Sequence, residues 1–197
     1  MKLLRSPLVC GAALALAMNL ATSAAALAQD APRVKFVTTA GAFVVEVYPD
    51  KAPKTVENFL QYVRSKHYDG TIFHRVIDNF MIQGGGFDAK YAEKPTRPPV
   101  PLEATNGLKN DSGTIAMART SDPNSATSQF FINVKDNSRL NAPSPDGFGY
   151  TVFGKVVSGA EVIEKIKGTP TGAGGPFQSD VPKTTILINS ATLEKKP

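Results

Sequence analysis

Cysteine and histidine are the scarce residues of this 197-residue chain, which has one cysteine, Cys10, and two histidines, His67 and His74. Cys10 falls in an N-terminal segment that is set apart below. The rest of the chain therefore has no thiol, and no disulfide is expected even in a compartment that would permit one. Neither histidine has a second histidine or an acid at ligand spacing, so no metal site is expected. His74 lies between Phe73 and Arg75 in a strand-like run, where a satisfied structural role is the expectation. The chain has no Gly-x-Ser-x-Gly elbow for a serine nucleophile. Gly84-Gly85-Gly86 is not followed by Gly-Lys-Ser/Thr and opens no helix, so it reads as backbone permissiveness at a strand end and not as a phosphate loop. Hydrolase, kinase and dehydrogenase signatures are thus missing, and no cofactor is expected. Charge is also modest: 22 Lys and Arg stand against 17 Asp and Glu, for a net +5. The two signs are interspersed, with no basic stripe to argue for nucleic acid.

A long apolar run occurs only near the N-terminus. Lys2 and Arg5 precede an apolar stretch from Leu8 to Leu20, broken by Gly11 and Asn19, and Ala26-Leu27-Ala28 follows with small-x-small spacing. This is the layout of a secretory signal peptide, so residues 1–28 are expected to be cleaved before Gln29. The run is shorter than the ~20 apolar residues of a spanning helix, so no stable membrane insertion is expected. Residues 29–197 then form a single domain, which at this size buries roughly 70% of its unfolded surface and needs no staples.

Strand signals dominate that domain. Val34–Thr38 and Phe43–Tyr48 are rich in β-branched and aromatic residues and are joined by a tight hairpin at Thr39-Ala40-Gly41-Ala42. Pro53 suits the first turn of a helix, and Val56, Phe59, Leu60 and Val63 form an apolar stripe behind it. Lys66 and His67 are placed in that helix's last turn, with Gly70 just beyond. Further strands are expected at Thr71–Ile77, Phe80–Gln83, Thr114–Ala118, Gln129–Val134, Tyr150–Val157 and Thr184–Leu193. A capping box at Ser158-Gly159-Ala160-Glu161 predicts a second short helix carrying Val162, Ile163 and Ile166. The stretch 87–108 and the Gly- and Pro-rich stretch 168–182 read as loop. About eight strands, two short helices and no βαβ alternation argue for an antiparallel barrel or sandwich with helices closing its ends.

The most informative segment is Phe73-His-Arg-Val-Ile-Asp-Asn-Phe-Met-Ile-Gln-Gly-Gly-Gly86, which sets one arginine and one glutamine among large apolar residues. Together with Gly113-Thr-Ile-Ala-Met-Ala-Arg119 and Ser128-Gln-Phe-Phe-Ile132, it resembles the cyclophilins, a family of peptidyl-prolyl cis–trans isomerases. Asn58-Phe59 and Tyr150-Thr-Val-Phe-Gly-Lys-Val156 add to the likeness, which runs in family order from about Val34 to Leu193. With the leader, the chain is most similar to the short periplasmic cyclophilins of Gram-negative bacteria.

The resemblance implies a mainly β fold, an eight-stranded antiparallel β-barrel capped by two α-helices. It implies an isomerase whose catalytic residues are Arg75, Gln83 and Phe80, with Gln83 holding the substrate backbone. Met81, Phe131 and Leu140 would complete the proline pocket with Phe80. Main-chain groups near Ala118 and Arg119 would pair with the bound peptide, Gln129 would support Arg75, and Tyr150 would stand at the rim. The expected partners are proline-containing unfolded or extended polypeptides, and the protein is expected to be a periplasmic monomer assisting the folding of exported proteins. A non-catalytic proline-peptide binding module or chaperone using the same groove is the alternative; the presence of both Arg75 and Gln83 argues against it. The chain departs from the family pattern at Arg139, at Tyr150 and in the loop Ser121–Thr127, which is longer than in eukaryotic members. Arg139 stands where relatives carry an aromatic that helps line the pocket and hold the inhibitor cyclosporin, which argues against drug binding. Tyr150 stands where many eukaryotic members have histidine.

Overall fold

The computed structural model describes residues 31–194. The expected signal peptide and Cys10 lie outside the described residues. Eight strands form one antiparallel sheet: β1 (Arg33–Thr38), β2 (Gly41–Val47), β3 (Thr71–Ile77), β4 (Met81–Asp88), β5 (Thr114–Met117), β6 (Phe130–Asn133), β7 (Val152–Ser158) and β10 (Ile188–Leu193). Their order is β10-β1-β2-β7-β5-β6-β4-β3. The ends of the sheet meet through an Ile72–Leu187 bridge, and the amides of Gly70 and Phe73 donate to the carbonyls of Ile188 and Ile186. The sheet is therefore a nearly closed barrel, which leaves little edge free to pair with another chain. Two helices, α1 (Pro53–Arg64) and α2 (Ala160–Lys167), pack on it. No helix of the described residues is long and apolar enough to cross a membrane.

Alternation along the strands sorts side chains into two separate apolar clusters. Val34, Phe36, Phe43, Val45 and Val47 point inward from β1 and β2, where the Phe36 and Phe43 rings stack at 5.0 Å. Phe59 from α1 meets the Phe130 ring edge-on, and Tyr68 and Phe73 close the same aromatic interior. The smaller cluster holds Met81, Ala116, Phe131, Leu140 and Val152, with Phe80, Ala118 and Tyr150 packed against it. Phe130 and Phe131 are adjacent in the chain but belong to different clusters, as the two-residue period of a strand requires.

Several expectations are corrected by tertiary context. Helix α1 ends at Arg64, and Lys66 takes a left-handed conformation at φ 57°. The start of α1 has no side-chain cap of its own. Glu103, from a distant loop, accepts from the amides of Lys54 (3.1 Å) and Thr55 (2.9 Å) and from the Thr55 hydroxyl (2.7 Å). The capping box at Ser158–Glu161 does not form: Gly159 is the N-cap, left-handed at φ 79°, with no side-chain hydrogen bond. A Cβ at Gly159 would lie 2.5 Å from the Ala42 carbonyl oxygen, so the close approach of β2 dictates glycine there. The stretch expected as loop at 168–182 contains a hairpin of β8 (Thr171–Gly174) and β9 (Phe177–Pro182), held down by Phe177 against His74 and Phe87. Strand β4 also runs on to Asp88, so the glycine triplet lies inside a strand and not at its end.

Candidate active site

One row of paired residues crosses four strands. Arg75 on β3 is opposite Gln83 on β4, Gln83 is opposite Phe131 on β6, and Phe131 is opposite Ala116 on β5. Side chains at paired positions share a face of the sheet. The outer face of the barrel thus carries, in sequence across the row, a cation, an amide, an aromatic ring and a small residue. Irregular register in β3 between Phe73 and Arg75 accompanies the change from inward Phe73 to exposed Arg75. Such bulges re-aim side chains.

That face holds a cavity of about 180 Å³ lined by Arg75, Phe80, Met81, Gln83, Ala118, Arg119, Phe131, Leu140 and Tyr150. Every lining residue is one that the sequence singled out; Gln129, the tenth, stands behind the wall. Met81, Phe131 and Leu140 are buried and form the floor, and Phe80 is half-buried. Phe80 is outside β4, in the turn before it, where its amide donates to the Ile77 carbonyl. The Tyr150 ring stands edge-on to Phe131 at 5.7 Å.

Hydrogen bonds define how the polar groups are held. The Nη1 of Arg75 donates to Oε1 of Gln83 at 3.4 Å, and Nε2 of Gln83 donates to Oε1 of Gln129 at 3.0 Å. Gln129 therefore reaches Arg75 through Gln83. Arg119 uses its side chain in another way. Its guanidinium is almost fully buried and donates to the carbonyls of Gly149 and Thr120 and to both carboxylate oxygens of Asp146, the shorter contact being 2.7 Å. It also lies 4.4 Å from the centre of the Tyr150 ring. Hydrogen bonding from Arg119 holds the Asp146 carboxyl below its ordinary range. The side chain of Arg119 thus ties the loop preceding Tyr150 to the barrel, a role that the sequence did not reveal.

A buried asparagine network was likewise not read from sequence. Asn137 donates to the carbonyl of Phe80 and to Oδ1 of Asn133, both at 2.7 Å. Asn133 donates to Asn110, which donates to the Leu140 carbonyl at 3.1 Å. Phe80 and Leu140, both in the cleft lining, are therefore tied to one polar chain. In a low-dielectric interior such a fully paired network rigidifies what it joins.

His74 lies under Arg75 and differs from its expected state in one respect. It is buried against Phe87 and Phe177 as a structural residue, but its Nδ1 has no hydrogen-bond partner among the described residues. Burial, with a smaller contribution from the Arg75 charge, lowers its pKa to about 4. It is neutral at ordinary pH and outside the cleft lining. Among the described residues, no group of three or more His, Cys, Asp or Glu could hold a metal ion.

The barrel is that of one protein class, and residues 33–193 match the family model described as cyclophilin type peptidyl-prolyl cis-trans isomerase/CLD. The chain belongs to that family. It is 57% identical over 162 residues to peptidyl-prolyl cis-trans isomerase cyp18 of Streptomyces antibioticus, covering 81% of this chain and 97% of that one. It is 54% identical over 164 residues to peptidyl-prolyl cis-trans isomerase B of Escherichia coli K12, covering 82% and 99%. A crystal structure of a cyclophilin type isomerase from Cryptosporidium parvum matches with a TM-score of 0.70 at 28% identity, covering 85% of this chain and 99% of that one. A second structure of that protein was determined in the presence of the dipeptide Ala-Pro.

Proposed function

We propose that this cyclophilin accelerates rotation about X-Pro bonds in exported polypeptides, with Arg75 as the group that stabilises the twisted amide. An X-Pro bond faces a barrier of ~18–20 kcal/mol because the amide nitrogen shares its lone pair with the carbonyl. Uncatalysed exchange takes tens to hundreds of seconds. Reaching ~1–10³ s⁻¹ requires roughly 3–8 kcal/mol of transition-state stabilisation. No bond breaks, so the chemistry needs neither a nucleophile nor a proton shuttle.

In the twisted amide the nitrogen regains its lone pair and becomes pyramidal. A guanidinium directed at that nitrogen stabilises the twisted state more than the planar one, and only such a difference raises the rate. Arg75 suits the task because its charge is not lost on partial desolvation, whereas a lysine's can be. Phe80, Met81, Phe131 and Leu140 would take the proline ring, and the apolar wall would strengthen the cation's contact by excluding water. Gln83, fixed by Gln129, would hold both Arg75 and the substrate backbone, and main chain near Ala118 and Arg119 would align the peptide. The observation that carries this reading is the paired row Arg75–Gln83–Phe131, which sets the cation and the amide against the aromatic floor of one cavity. The leader-like N-terminus supports action on exported chains in the periplasm.

A protease-coupled assay on an Ala-Pro peptide tests the mechanism. Arg75→Ala is expected to lose about 100-fold in kcat/KM, the scale of removing one preorganised electrostatic donor. Its melting temperature should stay close to wild type because the residue is exposed. Equal activity in the two proteins would refute the role given to Arg75.

A further inference from the structure

Two guanidinium groups flank the mouth of the proline cleft with no ion-pair partner among the described residues. Arg139, in a short 3-10 turn spanning Ser138–Leu140, is exposed, and its Cζ lies 5.1 Å from the centre of the Phe80 ring. Among the described residues neither Arg139 nor Arg75 has an ion-pair partner, and Arg75 meets only the neutral amide of Gln83. Arg119 is the contrast, closed by Asp146 at 2.7 Å. Asp136 lines a separate pocket with Arg139 and accepts from the Ser112 amide, and Asp78 accepts from the Asn79 amide, each at 2.8 Å; neither lies within ion-pair distance of a guanidinium. Among the described residues no acidic side chain lines the cleft, and Arg139 stands just outside that lining, against Phe80.

A guanidinium resting on an aromatic face keeps its in-plane N–H groups available, and a planar fork of that kind matches a carboxylate. Consecutive Cα atoms are about 3.8 Å apart, so a residue one or two positions from a proline seated beside Phe80 comes within reach of Arg139. The geometry points to Arg139 as a specificity residue: it makes the enzyme favour proline peptides with an Asp or Glu within two residues of the proline. An aromatic side chain at this place would supply wall area without charge preference. The inference rests on the cleft being the proline site, and its test separates the two.

Exchange spectroscopy on matched peptides, with Glu or Gln placed before or after the proline, gives kcat/KM for each. Wild type is expected to turn over the Glu peptide about two- to fivefold faster than its Gln partner at low salt, the span of an exposed ion pair. The ratio should fall towards one at high salt, shrink in Arg139→Gln to what Arg75 alone supports, persist in Arg139→Lys and be smallest in Arg139→Glu. Because each ratio is taken within one variant, loss of packing on Phe80 cancels. A ratio unchanged by Arg139→Gln, with the Gln peptide still turned over, overturns the selectivity and leaves the proline site intact. Absence of turnover on every peptide by wild type overturns both.

Discussion

Gly86 and Gln129 compete for one volume. A Cβ on Gly86 would lie 2.5 Å from Cγ of Gln129 and 2.7 Å from its Nε2. The bare backbone of β4 is thus what lets the Gln129 amide reach Gln83, and through it Arg75. Gly86→Ala is expected to lower kcat/KM by about tenfold through misplacement of the two amides. In a Gln129→Ala background the same change should cost little, because its target is gone. A double-mutant cycle read by the protease-coupled assay checks this; additive losses would show that Gly86 acts elsewhere.

Removing the Arg119 side chain should loosen the loop before Tyr150 more than it weakens any contact with substrate. Arg119→Ala leaves the Gly149 carbonyl and the Asp146 carboxylate without their donor, and the melting temperature is expected to fall by about 4–8 °C. The Asp146 carboxyl is depressed by that hydrogen bond, so its contribution is present above the ordinary aspartate range and is lost as pH falls through the lowered value. Asp146→Asn should flatten that acid limb in thermal melts. An unchanged limb would show that the pair is energetically idle.

Glu103 caps a helix to which it does not belong. Glu103→Ala strips the acceptor from two backbone amides and a hydroxyl at the start of α1, at an expected cost of about 1–2 kcal/mol. Chemical denaturation should show a lower midpoint with an unchanged slope, since the folded and unfolded surfaces stay the same.

His74 predicts a pH dependence of stability of definite sign. Its folded pKa, about 4, lies below the unfolded value of 6.5. Between those two values the unfolded chain binds a proton that the folded chain refuses. The contribution is therefore whole above pH ~6.5 and is lost as pH falls to ~4, a span worth roughly 3 kcal/mol. His67 is depressed in the same direction, mainly by burial. His74→Phe, which keeps an aromatic against Phe87 and Phe177, should therefore shrink the limb in unfolding free energy between pH 6.5 and 4 without abolishing it. A limb of full size would place its source elsewhere.

Much of the barrel was legible because its signals are local. Alternation in Val34–Thr38 and the stripe Val56–Phe59–Leu60–Val63 each report burial within a few residues. The cleft was legible through three ordered motifs, which brought Arg75, Gln83 and Phe131 together without knowledge of their register. What escaped depends on long-range contact. Thr171–Gly174 has no strand alternation and is held as a strand by its partner β9, where Phe177 finds a ring to rest on. Asn110, Asn133 and Asn137 look like ordinary polar residues until folding buries them against one another. Gly86 looks like flexibility, although its function is to be small. Arg119 enters the sequence reading only through main-chain groups beside the peptide, and its side-chain bonds to Asp146 and Gly149 cross a loop whose path no local pattern predicts.

The adjacency of Phe130 and Phe131 also bears on how this chain can diverge. One faces the barrel interior and the other the cleft, so inserting or deleting a single residue within β6 would exchange the two and send Asn133 inward. Fold and catalysis would fail together, with no intermediate sequence in which one is kept and the other repaired. Length change is therefore easier in the exposed stretch 143–145, ahead of the Asp146 that holds Arg119, than in β6, which must be replaced residue for residue. A deletion scan read for soluble expression would find β6 intolerant at every position.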